Sequence, residues 1–300
     1  MKIWIKVLVS VGLLALLFWL LPWAQVRDAL LRLPPESWLL VLCGFVLGHL
    51  IGVVKWRIFV NAGRAALRFR DAIQCYAAGL FTNLCLPSIV GGDVLRAAMA
   101  ARITRRPEAA FLGGVIDRIT DMVAMVILIA AGGLTSSRVI PGWGGEAFGV
   151  GLILGGALLV IFLPILLRRP LSWWPRRIRR QVGRSLVALR RLVRSPRAAA
   201  TALLLSLTIQ SSFVLLNRTL GQAIGIDVPL PVWFLVWPLA KVAGLMPISL
   251  GGLAVREATL ATLLTPFGVP FALGVVCSLL WQTVLIVGGL CAGLLWVVLR

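Results

Sequence analysis

Residues 87–96 read Pro-Ser-Ile-Val-Gly-Gly-Asp-Val-Leu-Arg, and residues 247–256 read Pro-Ile-Ser-Leu-Gly-Gly-Leu-Ala-Val-Arg. Both have the form P-x-x-x-G-G-x-x-x-R. Pro87, Gly91, Gly92 and Arg96 match Pro247, Gly251, Gly252 and Arg256 at one constant offset. Each copy interrupts an apolar stretch. In a membrane protein, paired Gly/Pro-broken hydrophobic segments at matching places in two halves are the sequence signature of a transporter's binding site.

The surrounding composition sets that motif in a bilayer. The chain has 300 residues, 60% of them hydrophobic and only 13% charged. Apolar runs long enough to cross about 30 Å of hydrocarbon recur along it. Full spans are expected near 3–21, 37–55, 108–133, 148–167, 198–218 and 270–298. Two further apolar segments, 71–86 and 231–246, are only about 22–24 Å long at 1.5 Å per residue. Each runs into a copy of the motif, and each is read as the inbound arm of a re-entrant helical hairpin. Non-helical backbone at membrane depth is tolerated only where protein or a wet cavity satisfies it, so the breaks imply a cavity. The N-terminus, Lys2 to Leu21, resembles a signal peptide but has no A-x-A site before Gln25, and reads as a retained first helix.

The net charge of +20 does not point to nucleic acid. The cations gather in short segments between apolar spans, where positive-inside sorting accounts for them. Lys2 and Lys6 precede the first span; Lys55, Arg57, Arg64, Arg68 and Arg70 follow the second; eleven arginines lie between 168 and 197. The opposite side holds few. This asymmetry predicts cytoplasmic termini and six crossings. With three spans and a hairpin in each half, residues 1–147 and 148–300 would be inverted repeats of a single domain, 1–300. If each hairpin is a true span pair, the count is about eight. Segment 168–197 carries Ile178, Val182, Leu186, Leu189 and Val193 on one helical face and arginines on the other. It reads either as a helix on anionic lipid headgroups or as a basic linker.

The motif has a direct electrostatic meaning. Proline ends the inbound helix, and the glycine pair lets the backbone turn tightly. The next helix then starts within the membrane, with free N–H groups and the positive end of its dipole towards the cavity, a setting for an anion. Arg96 and Arg256 sit one turn in, where a guanidinium either forks onto a phosphate or pairs locally with an acid. Asp117 and Asp121 lie four apart on one helical face with Arg118 beside them, and intramembrane charge is costly enough to need a partner or a function. They read as partners of Arg96 or Arg256, or as coupling groups; Asp93 and Glu257 admit the same readings. Lys241 is a counter-ion or a second phosphate contact. Asn83 and Gln282 are cavity-lining or interhelical. Five scattered cysteines without a CxxC pair and a lone His49 make no metal set. No Walker A sequence or nucleophile-base set is visible, so the expectation is a non-enzyme without cofactor.

The run from Gly79 through Arg96, the Asp117-Arg118 pair with Asp121, and Met246 through Glu257 resemble the lysylphosphatidylglycerol synthetase transmembrane, or flippase-like, family. The resemblance covers nearly the whole chain. It implies an integral membrane domain that moves lipids, as in the flippase half of bacterial aminoacyl-phosphatidylglycerol proteins; stand-alone relatives are associated with polyprenyl-linked glycolipids, other phospholipids or hopanoid loci. This sequence stops at Arg300 without an aminoacyltransferase-like domain, so it resembles the transporter part alone. The expectation is an all-α, polytopic flippase of an anionic lipid in the bacterial cytoplasmic membrane. Two alternatives stand: an ion- or proton-coupled transporter of a small anion, and a non-transporting scaffold for a lipid-synthesis enzyme. Substrate lipid, direction, energy source and oligomeric state are not legible.

Overall fold

A computed structural model describes residues 23–85, 91–136, 196–245 and 254–299. Every regular element among them is helical: α1 (Trp23–Arg32), α2 (Pro35–Ala62), α3 (Phe69–Cys85), α4 (Gly91–Thr104), α5 (Pro107–Ser136), α6 (Pro196–Ala223), α7 (Leu230–Gly244), α8 (Val255–Leu264) and α9 (Phe271–Val298), with a 3₁₀ turn at Thr265–Phe267. Proline opens most of the long elements. Pro35, Pro107 and Pro196 are first residues, Pro231 is the second of α7, and Pro270 precedes α9. A missing N–H costs nothing in a helix's first turn, so proline marks starts without breaking them.

Among the described residues, four helices are long and apolar enough to cross a membrane: Pro35–Ala62, Pro107–Ser136, Ala200–Ala223 and Phe271–Val298. They coincide with four of the six expected spans. The other two, 3–21 and 148–167, lie outside the described residues, as does nearly all of the basic segment 168–197. The chain is therefore a multi-pass membrane protein. Its spans carry apolar side chains outward, such as Leu39, Leu47 and Val54 on α2 and Leu290, Leu294 and Val298 on α9. In lipid, that surface needs no cover.

The second span departs from its expected end. Helix α2 does not stop at Lys55 but continues to Ala62, and Lys55 is buried rather than a loop cation. Hydropathy ended the span there because a lysine is costly in hydrocarbon. The bundle removes that cost by surrounding the ammonium with carboxylates, described below. Beyond Ala62 the turn is closed by side chains: Asn61 Nδ2 and Arg57 Nε both donate to the Leu67 carbonyl, at 3.2 and 2.8 Å, and Leu67 N–H donates to Asn61 Oδ1 at 2.7 Å.

The two motif regions each form a hairpin. Helix α3 packs on α4, and α7 packs on α8. Their arms have 17 and 14 residues, and 15 and 10, all short of the roughly 20 that a full crossing needs. The packing pattern survives an exchange of halves. Helix α2 pairs with α6. Helix α3 lies on α9 as α7 lies on α5, and α4 lies on α5 as α8 lies on α9. Each inbound arm is thus clamped against the other half's span, and each outbound arm against its own.

Two glycines permit the closest of these approaches. A Cβ on Gly92 would overlap the Gly79 carbonyl oxygen and come within 2.5 Å of Asn83 Oδ1, so α3 and α4 touch backbone to backbone. A Cβ on Gly132 would lie 2.5 Å from the Leu235 nitrogen of α7. Neither contact is the end of a flexible side chain, so neither can yield cheaply. Gly92→Ala should destabilise the protein by about 1–3 kcal/mol through overpacking, read as a lower unfolding temperature in detergent. Gly114→Ala, with nothing within 4 Å of the added methyl, should leave that temperature unchanged or raise it.

Candidate functional site

All the long helices and both hairpins contribute to one internal chamber of about 320 Å³. The first hairpin supplies Gly79, Asn83, Asp93 and Arg96; the second supplies Trp237, Lys241 and Arg256. Asp117, Arg118 and Asp121 reach it from α5, Lys55 and His49 from α2, Gln210 and Phe213 from α6, and Trp281 and Gln282 from α9. The two motif arginines, 160 positions apart in sequence, therefore line a single space. The lining charges are five cations and three carboxylates.

Most of these charges are tied into one alternating chain. Arg118 donates to Asp93 Oδ2 through Nε at 2.6 Å. Asp93 Oδ1 lies 3.2 Å from Arg96 Nη2, which donates to Asp117 Oδ2 at 3.1 Å. Lys55 Nζ stands 3.0 Å from Asp117 Oδ1 and 2.5 Å from Asp121 Oδ1, and donates to Ser206 Oγ at 3.0 Å. Cation and anion alternate over six side chains, so this half of the lining is neutral. The Arg96 guanidinium is also stacked, with Trp56 and Tyr76 ring centroids each 4.8 Å away. Such geometry suits a delocalised cation in a low-dielectric interior.

The remaining two cations belong to the second hairpin, and neither joins that chain. Arg256 Nη2 donates to Glu257 Oε1 at 2.6 Å and to Gln282 Oε1 at 2.8 Å. Lys241 Nζ donates to Gln210 Oε1 at 2.8 Å and lies 5.5 Å from the Phe213 ring centroid. Among the described residues no carboxylate lies in ion-pair contact with Lys241, and the attraction it feels from Asp121 acts at longer range. Asp117 meets Arg96, whereas Asp121 meets Lys55 and neither acid pairs with Arg256.

Four polar atoms of lining residues are buried without a hydrogen-bond partner: the donors Arg96 Nε, Arg256 Nε and Trp237 Nε1, and the acceptor Asp117 Oδ1, which keeps its ion pair with Lys55. A buried donor left unmade costs about 1–3 kcal/mol. The N-terminus of α4 is less open than the motif alone suggests. Asn83 Oδ1 accepts the Gly92 N–H at 2.9 Å, so the inbound arm caps the outbound helix. Gly91 is the first residue of α4; Gly251 and Gly252 lie outside the described residues.

Sequence reading missed Lys55, His49, Tyr76, Gln210, Trp237 and Trp281 as lining groups. Lys55 carried a usable signal. It lies three residues after Gly52, so a helix extended to Ala62 places the two on neighbouring turns of one face. The aromatics carried none, because in an apolar span they are indistinguishable from lipid-facing bulk. Removing the Lys55 ammonium strands Asp121 and leaves Asp117 with Arg96 alone, and breaking a buried pair costs about 3–5 kcal/mol. Lys55→Met should therefore markedly lower the unfolding temperature in detergent, and the further change Asp121→Asn should recover part of the loss.

No curated protein and no solved structure matches the chain significantly. The family model described as the lysylphosphatidylglycerol synthase TM region matches residues 3–293. With both hairpins, the charged chamber and nearly the full length inside that match, the chain belongs to the lysylphosphatidylglycerol synthase transmembrane-region family.

Proposed function

We propose that this protein is a lipid translocase: it moves an anionic lipid of the phospholipid or polyprenyl-phosphate type between leaflets of the bacterial cytoplasmic membrane, without catalysing a chemical step. The observation that carries the reading is the convergence of both motif hairpins on one chamber where Lys241 stands outside every ion-pair contact and the other four cations are paired. Membership of a family whose model is a lipid-synthase membrane region supports a lipid over a soluble anion as cargo.

In this mechanism the headgroup phosphate sits on the side of Lys241, Arg256 and Trp237. Lys241 is in contact with a neutral acceptor and an aromatic face and feels the Asp121 carboxylate only at longer range, so it is the cation most available to a phosphate. Arg256 adds positive charge on the same side, with Gln282 and Glu257 holding Nη2 in place. Arg96 contributes its Nε–H and the residual positive potential of α4, and its ion pairs with Asp93 and Asp117 fix the hairpin against α5. Asn83 and Gly92 keep the two arms of that hairpin in register. Asp121, Asp117 and Arg118 are the groups through which an ion or proton gradient would couple.

The exchange symmetry of the packing supports alternating access, with the halves inverted and the chamber opened to each leaflet by rocking. Both termini then face the cytoplasm, and the basic segment 168–197 lies beside anionic headgroups there. A partner enzyme that makes or consumes the lipid fits the same placement.

Purified protein in phosphatidylglycerol vesicles, with a tail-labelled fluorescent phosphatidylglycerol and an external quencher, tests the assignment. The wild-type chain should accelerate loss of protected fluorescence. Lys241→Gln and Arg256→Gln should each slow it at least tenfold, as expected when a charge-assisted contact of about 1.5–3 kcal/mol is removed. Folded variants that retain the wild-type rate would reject the site. Phosphate uptake in place of lipid movement would favour the small-anion alternative.

A further inference from the structure

An apolar cleft adjoins the chamber. Between α2, α3 and α9 lies a second cavity of about 110 Å³. Phe45, His49, Tyr76 and Leu80 line both spaces, so the cleft and the chamber stand on either side of one shared wall of side chains. The cleft's other walls are almost wholly hydrocarbon, including Val53, Ile73, Ala77 and Ala292. Apart from the Cys291 thiol, its only polar side chains are those of His49 and Tyr76, whose Nδ1 and hydroxyl stand 3.3 Å apart. Its outer rim is formed by Val46, Leu50 and Leu295, all exposed on two of the membrane-spanning helices.

We infer that this cleft is a lateral portal holding the hydrocarbon chain of the lipid whose headgroup occupies the chamber, with His49 and Tyr76 bracketing the polar neck between them. The inference rests on the translocase reading for the identity of the cargo. Size makes the first argument. Small-molecule pockets run from about 300 to 1,000 Å³, so the 320 Å³ chamber accommodates a headgroup but not its tails. Polarity makes the second. A methylene chain placed among five cations and three carboxylates would strip them of partners, whereas the cleft offers it hydrocarbon alone. Position makes the third, since the rim faces the bilayer and the rest of the chain remains in lipid throughout. His49 and Tyr76 suit the boundary because each joins an aromatic body to a polar atom. Headgroup and tail would then cross the bilayer in different media, joined at this pair.

Narrowing the cleft tests the portal. Ala292→Phe should reduce phosphatidylglycerol movement at least tenfold while glycerol 3-phosphate, a soluble headgroup, still raises the unfolding temperature as in the wild type. Val54→Phe, on the lipid-facing side of α2 and not in the cleft, should leave movement unchanged. A folded Ala292→Phe variant that moves lipid at the wild-type rate would overturn the portal while leaving the translocase intact. A second arm does not depend on that variant folding. Phosphatidylglycerol with a photoactivatable diazirine on its acyl chain should label residues 45–53, 73–80 and 288–295 of the wild-type protein; labelling spread evenly over all the outward helix faces would overturn the inference. Cleft labelling in a protein that moves no lipid would support the chain site and reject the translocase.

Discussion

Charge inside a membrane bundle has to be neutralised where it stands, and the alternating chain from Arg118 to Asp121 is the form that constraint takes here. Each carboxylate touches cations on either side or a cation shared with its neighbour. The four inner members each keep two partners, and the one loss that strands a largely buried charge is that of Lys55, which leaves Asp121 without a cation, the costly outcome in a low-dielectric interior. Because the members come from α2, α4 and α5, with Ser206 of α6 joined through Lys55, the network also fixes how those helices meet. The first hairpin is held in place by electrostatics as much as by packing.

The second hairpin is held differently. Around it lies the main hydrophobic core, with Trp233, Trp237, Trp281, Leu260 and Leu264 packed together. Its two cations are supported by amides, a single neighbouring acid and an aromatic face. Equivalent motif positions thus serve unequal ends: Arg96 sits between two carboxylates and two rings, while Arg256 keeps a carboxylate and an amide on one nitrogen. A pair of matching breaks need not make a pair of matching contacts. The asymmetry concentrates the chamber's uncompensated positive charge on one side, so a bound anion would be oriented and not merely attracted.

The cleft between α2, α3 and α9 completes this arrangement. A chamber sealed by charged and polar groups alone would suit a solute that leaves the membrane altogether. A hydrocarbon-lined cleft on the far side of a shared wall, with His49 and Tyr76 as that wall's polar groups, suits a molecule with one end in each medium. The aromatic contacts among Phe45, His49, Phe213 and Trp281 form the wall on which the two media meet.

Much of the architecture was legible from residues alone. The four described spans and the shortness of the hairpin arms follow from local hydropathy and backbone freedom, which depend on neighbours a few positions away. Family membership was legible for the same reason, since its motifs are short and contiguous. The partners of the charges were not. Lys55 looked like the end of a span because its counter-ions lie 62 and 66 residues onward, and Ser206 lies 151 away. Whether Arg96 faces a ligand or an acid, and whether a chamber opens to lipid, depends on which helices pack together. That choice rests on glycine-sized approaches such as Gly79 to Gly92 and on the summed cost of every buried charge, neither of which exists until the bundle is assembled.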